Sequence, residues 1–589
     1  MNHRRNLAAC AAAAIVALAS TFVLPLLATA EAAVSTTKHN LSATGPGTRK
    51  AATETEICIF CHAPHNTSPG GQLWNRRLPT STYTPYTSST LKSIPGQPNG
   101  ASLLCLSCHD GTIALGEVLS RATAIGMLGG AMSGNPLLGT NLSDDHPVSF
   151  AYDAALRAAR GELADPATLA LPGKVRLDSS GRMQCTSCHD PHDNANGKFL
   201  VMANTASALC TTCHQKNFWT GSDHRTSTRT WNGAGTNPWP HTSGTTVAAN
   251  ACENCHRPHT AGGAKSLVNY AAEETNCTVC HNGNAAAKNV LAEFSKASAH
   301  DVGLYTGTHT PNEASPVTAT HVECVDCHNP HAAAASALPT KGGSAVPVLP
   351  SSQTGVRGIN IGGTAVNPAQ FEYEVCFRCH SAPNPALVRT SRQVNTTPTA
   401  NNVRLEFQTG NSSFHPVAGI GRSTTVPSLL SPWTTASRMT CTDCHNNNVS
   451  PYSSGTGTTP SGTGVNGPHG STYPLLLERQ YVVADNTTES STAYALCYKC
   501  HSRTNILANQ TGSFREHNKH IVGERTPCNV CHDPHGVQTT LSNNRRLINF
   551  QTTVVTPSGG VLRWVPGASA GTGSCTLICH GANHTGWNY

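Results

Sequence analysis

The sequence predicts low regular secondary structure, with short helices strung through six tandem modules and covalent cross-linking groups where most proteins of this length have a side-chain core. Three observations predict it. The 589 residues include 25 cysteines and 30 histidines, and a Cys-x-x-Cys-His pattern recurs along the chain. Aromatic residues are 5 % and charged residues 12 %, with 51 Gly and 37 Pro, so little apolar side-chain surface opposes the entropy lost on folding. Turn-rich stretches such as 88–100 and 451–467 separate the cysteine clusters, and long helical periods are missing.

The pattern is complete at Cys58/Cys61/His62, Cys105/Cys108/His109, Cys185/Cys188/His189, Cys210/Cys213/His214, Cys252/Cys255/His256 and Cys277/Cys280/His281. It continues at Cys324/Cys327/His328, Cys376/Cys379/His380, Cys441/Cys444/His445, Cys497/Cys500/His501 and Cys528/Cys531/His532. A twelfth site, Cys575-Thr-Leu-Ile-Cys579-His580, has one extra residue between its cysteines. Together they use 24 of the 25 cysteines, leaving only Cys10. Cys-x-x-Cys-His is the attachment site of haem c: the two thiols add to the porphyrin vinyl groups, and the histidine on the same tight turn reaches the iron. Zinc ribbons and disulfide frameworks also space cysteines, but neither needs a histidine after every second one. The expected cofactor is haem c, about 12 per chain, with these cysteines as thioether anchors and these histidines as proximal ligands.

Residues 1–30 read as a secretory signal, with Arg4 and Arg5, an apolar run from Leu7 to Leu27 and a small-residue cleavage site at Ala28-Thr29-Ala30. Leu7-Ala8-Ala9-Cys10 resembles a lipoprotein box, but it precedes the apolar run, so Cys10 reads as an ordinary signal residue. No other run is long enough to span a bilayer, so the mature chain is expected to lack a transmembrane segment. Export to the periplasm, or to the extracellular face of a bacterium, is the expected location. Loss of Arg4 and Arg5 and the addition of two propionates per haem take the formal charge from +7 to roughly −7 oxidised and roughly −19 reduced. The basic balance of the bare chain is therefore no sign of nucleic-acid binding.

Pairing the sites in order gives six dihaem modules, at 31–120, 121–218, 219–290, 291–390, 391–510 and 511–589. Such repeats suit a quasi-linear array in which each unit mainly meets its neighbours. Short helices are expected at 152–163, 204–213 and 491–500, the last two leading into second motifs.

The CxxCHxPH…CxxCH pairing resembles the doubled-CXXCH multihaem cytochromes c. Stretches such as CIFCHAPHN, LSDDHPVSF, HVECVDCHNPHAA and CTLICHGANH are similar to secreted multihaem cytochromes of anaerobic and metal-reducing bacteria. The resemblance implies haem binding and electron transfer.

A low-spin haem needs a sixth ligand. Five first motifs run straight into Pro-His, giving His65, His192, His259, His331 and His535; in the fifth module a Gly/Ser/Thr-rich insertion delays the counterpart to His469. Three residues cannot pass round their own porphyrin, so these histidines should reach a neighbouring haem, and the proline stiffens the link. One histidine upstream of each module's first motif completes the set: His39, His146, His224, His300, His415 and His520. His241, His309, His321, His517 and His584 are spares under this assignment.

All twelve motifs end in histidine and the supply of ligands is sufficient, so the expected function is electron carriage along bis-His haems in anaerobic or extracellular respiration, without enzymatic activity. The expected partners are other multihaem cytochromes, a membrane quinol-oxidising complex, an extracellular metal oxide or further copies of the chain. The alternatives are a reductase of nitrogen or sulfur oxyanions with one five-coordinate haem, most naturally at the CxxxCH site, and an electron store without a through-path.

Overall fold

The computed structural model describes residues 34–589 except 70, 170–174, 305–312, 318–320, 383–388 and 395–401; the expected signal and Cys10 lie outside the described residues. Regular structure is sparse. The longest described helices are Gly100–His109 and Glu372–His380, each ending in a motif histidine. Of the expected helices, the first forms over Ala154–Arg160, where the Asp153 side chain accepts the Leu156 N–H and Gly161 ends the turn at φ 72°. The others shrink to Ala208–Cys213 and Ala495–Tyr498. Strands are short and pair into two- or three-stranded antiparallel ladders. No described helix is long and apolar enough to cross a membrane.

The chain forms two compact units. One comprises the described residues up to Leu78, with Ile113–Met132 and Cys188–Ala203. Within it Lys50–Ala51 pairs with Met127–Leu128, and the buried Arg76 guanidinium donates to the carbonyls of Ala114, Leu115 and Glu117. A buried cation satisfied by backbone carbonyls ties two sequence-distant segments without a large apolar contact.

The other unit comprises Pro79–Thr112, Ser133–Ser187 and Asn204–Tyr589. Its apolar side chains gather in small separate clusters, such as Ile359, Tyr373, Phe377, Phe407 and Val417, or Val530, Phe550, Val555 and Leu577. Between them runs one cavity of about 2530 Å³, lined by motif cysteines and histidines from Cys255 to Cys579. A pocket for a single organic ligand measures roughly 300–1,000 Å³. This cavity occupies the place of a continuous core and has room for several such groups.

Candidate haem-attachment sites

The motifs fold alike. In eight of them the histidine N–H donates to the carbonyl of the first cysteine, as in His62 to Cys58 at 2.7 Å and His532 to Cys528 at 2.9 Å. That single helical turn puts both thiols and the imidazole on one side of the backbone. At His214, His328 and His532 the chain then turns extended, with ψ of 109°, 139° and 136°.

A recurring support escaped the sequence reading. Downstream of five first motifs, two consecutive non-glycine residues are left-handed: Gln72-Leu73, Lys198-Phe199, Ser266-Leu267, Leu475-Leu476 and Arg546-Leu547. The carbonyl of the first of each pair accepts the Nδ1–H of the preceding motif histidine, at 2.8 Å for His62, 3.0 Å for His189, 2.8 Å for His256, 2.9 Å for His445 and 2.9 Å for His532. Each left-handed residue costs about 1 kcal/mol or more. The strained turn fixes the tautomer whose Nε2 can serve as a metal ligand. Its sequence trace is only a recurring x-Leu or x-Phe followed by an apolar residue, which hydropathy alone does not pick out.

Histidines meet in pairs. Ring centres lie 6.1 Å apart for His62 and His192, 6.3 Å for His146 and His214, 6.2 Å for His224 and His281, and 6.1 Å for His256 and His331. They lie 6.0 Å apart for His328 and His469, 6.0 Å for His445 and His535, and 6.4 Å for His517 and His532. Two metal–imidazole bonds of about 2.0 Å, plus roughly 1.1 Å from each ligating nitrogen to its ring centre, would give about 6.2 Å. The pairs therefore have the separation of two axial imidazoles with one iron between them, and the residues fit bis-His haem c. First-motif pairs include near-parallel planes, at 19°, 5° and 4° for His62, His256 and His328; the second-motif pairs of His214 and His281 are near-perpendicular, at 78° and 86°.

The pairing follows a rule. A Pro-His histidine faces the first-motif histidine of the preceding module, and an upstream histidine faces the second-motif histidine of its own module. Burial depresses the second-motif imidazoles, and the next contribution is the charge of that upstream partner: His146 at His214, pushed to about 3, and His224, His300 and His415 at His281, His380 and His501, each pushed to about 4. The neutral imidazole so favoured is the ligating form.

The two kinds of distal histidine are clamped together. His39 Nδ1 lies 3.0 Å from the Pro191 carbonyl and His224 Nδ1 lies 2.7 Å from that of Pro330, while His415 meets Pro534. Short ladders support the clamps: Ser298–Ala299 pairs with Gly470–Ser471, and Ser413–Phe414 with Gly536–Val537. In each ladder the strand is the Ser-x pair just before a histidine, Ser298-Ala299-His300 and Ser413-Phe414-His415.

The cysteines alternate as well. First cysteines of successive sites interact directly: Cys105 with Cys185, Cys210 with Cys252, Cys277 with Cys324, Cys376 with Cys441, and Cys497 with Cys528. Second cysteines are neighbours on intervening steps: Cys255 and Cys280, Cys327 and Cys379, Cys444 and Cys500, Cys531 and Cys579. From the fourth site to the twelfth, each site adjoins the next in chain order.

Cys61 and Cys108, like Cys188 and Cys213, do not line the large cavity, whose cysteines begin at Cys255. Both are half-buried and are set by local backbone bonds. In the smaller unit the Cys61 N–H donates to the Cys58 carbonyl at 3.1 Å, and the Cys61 carbonyl accepts the Asn75 N–H at 2.9 Å. In the larger unit Cys108 lies on the helix Gly100–His109, and its carbonyl accepts the Gly111 N–H at 3.3 Å. The two motifs of the first module fall in different compact units.

Other expected ligands differ in their surroundings. His65 is exposed. His259 and His109 are held at Nδ1 like the motif histidines above, 3.1 Å from Asp145 Oδ1 and 2.7 Å from the Pro136 carbonyl. His517, a spare on the sequence assignment, faces His532 with ring centres 6.4 Å apart. His580 departs from its motif: it is exposed, and its Nε2 lies 3.0 Å from both carboxylate oxygens of Asp485. The spare His309 lies outside the described residues.

Residues 179–218 and 245–286 match the doubled CXXCH motif family, and residues 360–543 match the family described as outer membrane cytochrome MtrC/MtrF-like, domains II/IV. The chain is 26 % identical over 160 residues to the multiheme cytochrome MtrA of Shewanella baltica (strain OS185). That alignment takes in 25 % of this chain and 36 % of the relative. Recurring motifs, paired imidazoles and these matches agree: the chain is a multihaem c-type cytochrome carrying doubled CXXCH motifs.

Proposed function

We propose that this cytochrome is exported and carries electrons through a line of about twelve bis-His haems, delivering them at or beyond the outer surface of a bacterium. The observation that carries the reading is the alternation of neighbouring cysteines, which sets consecutive attachment sites side by side through the larger unit. The description of the family matched over 360–543 supports the surface location. An outer-membrane multihaem cytochrome or a quinol-oxidising complex suits the donor side, and an extracellular metal oxide the acceptor side.

A bound haem supplies a one-electron ferric/ferrous couple. The chain does the rest. The paired imidazoles would hold the iron from both sides and so deny it to substrates. Carbonyls on Nδ1 orient the rings and raise their basicity. Buried surroundings exclude water, which with local charge sets the potential. The Pro-His dipeptides fasten each module to the one before it.

Intact-mass measurement and the pyridine haemochrome of the matured protein test the count, and ferric electron paramagnetic resonance tests the ligation. Stopped-flow mixing of fully reduced protein with ferric oxyhydroxide particles tests the path. The expected outcome is reoxidation of every haem and a wholly low-spin ferric spectrum. Reoxidation of a fixed fraction would favour storage, and a high-spin haem with nitrite or sulfite turnover would favour a reductase.

A further inference from the structure

The twelfth site is built unlike the others. Its cysteines lie on strands, Gly573–Thr576 and Ile578–Cys579, instead of on a helical turn. Ile578–Cys579 pairs with Ala582–Asn583, and the hairpin turns at His580 and Gly581, with φ of 47° and 77°. Two left-handed residues make the tight hairpin turn that matches strand twist. This turn carries the His580 side chain outward, where Nε2 is held by Asp485. In the first-motif histidines it is Nδ1 that the backbone carbonyl occupies, as at His62 and His532.

Four residues on, His584 has the missing properties. It is buried, at 7 % exposure, and lines the large cavity together with Cys575, Cys579 and His520. Its Nδ1 is 2.7 Å from the Tyr589 hydroxyl, and His520 Nδ1 is 2.8 Å from the Glu516 carbonyl. Both therefore turn Nε2 to the cavity. Their ring centres are 6.1 Å apart at 33°, within the range of the other pairs. His520 is the upstream histidine of the last module, and by the rule above it should face a second-site proximal imidazole. The one it faces is His584.

We propose that the axial pair of the twelfth haem is His584 and His520, and that His580 is a surface residue ion-paired with Asp485. The extra residue between Cys575 and Cys579 gives the physical reason: it replaces the helical turn with strand and hairpin, so the adjacent histidine faces away and the one across the hairpin faces in. This assignment rests on the reading of Cys575 and Cys579 as haem anchors. It makes the twelfth haem six-coordinate, an electron-transfer site instead of an open catalytic one.

The test uses the full chain matured with haem. His584→Met is expected to retain all its haem, to introduce the methionine-to-ferric charge-transfer absorption band and to raise the potential of a single haem, since methionine ligation raises haem potentials. His584→Ala is expected to convert a single haem to high spin, and His580→Gln to leave spin state and potentials unchanged. A new high-spin haem in His580→Gln, or a His584→Met protein with full haem and no methionine band, would overturn the assignment. A wild-type mass lacking the haem between Cys575 and Cys579 would instead remove the underlying reading of that site.

Discussion

The backbone N–H of His300 donates to the carbonyl of His469 across 3.3 Å, so two distal imidazoles that serve different sites are held back to back. The His415 N–H makes the same bond to His535 at 3.0 Å. Ligands thus arrive in clamped pairs that belong to neighbouring modules, and the first site of modules three, four and five faces a histidine of the module that follows.

Removing a distal ligand should therefore act on the preceding module. His331→Ala is expected to convert the haem of Cys252 and Cys255 to high spin while the haem of Cys324 and Cys327 stays low-spin. His65→Ala, at an exposed position, is expected to leave the ferric paramagnetic resonance spectrum unchanged. Loss of a low-spin haem in the His65 variant would contradict the pairing rule.

The cavity predicts that the fold depends on its cofactors. A chain produced without its signal, and so without haem, is expected to show no cooperative thermal transition, whereas the matured protein melts cooperatively. The unfilled 2530 Å³ leaves the small apolar clusters without a common core. Differential scanning calorimetry of both forms decides this.

A buried ion pair supplies a stability test away from the iron ligands. Lys499 and Glu478 are 1 % and 0 % exposed and in direct contact, with Lys499 Nζ also 2.7 Å from the Asp443 carbonyl and Ser450 donating to Glu478 at 2.6 Å. Lys499→Met strands a buried carboxylate and should cost about 3–5 kcal/mol. The double variant Lys499→Met/Glu478→Leu should recover much of that loss, as read by denaturant unfolding.

Acid should expose a second, smaller pair. The Arg503 guanidinium, with Nε 2.8 Å from Oε1, and then the Tyr498 hydroxyl hold the Glu489 carboxyl below its ordinary range. A depressed folded-state value contributes stability above the unfolded value of about 4.3 and loses it as pH falls through the folded value. Arg503 is 46 % exposed, so the contribution should not exceed about 1 kcal/mol. Glu489→Gln is expected to be less stable than wild type at neutral pH and to converge with it below about pH 4. Urea unfolding across that window checks the sign.

Much of this protein was written locally. Twenty-four cysteines in motif spacing, the histidine after each pair and the scarcity of apolar side chains declared covalent haem and a fold with little regular structure, because thioether chemistry is satisfied within five or six residues. The left-handed pairs were not legible, since their first residues, Gln72, Lys198, Ser266, Leu475 and Arg546, share a backbone conformation and no residue type, and a lone Leu or Phe after them marks no turn.

Ligand pairing lay further out of reach. His192 and His331 announce themselves as ligands through Pro-His, yet which iron each serves depends on segments brought together from other modules. Spacing likewise marks Cys61 and Cys108 as anchors of one module, while the folded chain assigns them to separate units. At the twelfth site a single inserted residue exchanges a helical turn for a hairpin, and only the folded chain distinguishes His580 from His584. Spacing along the chain fixes what can bond to a porphyrin; the path of the backbone through space fixes which imidazole stands across from which.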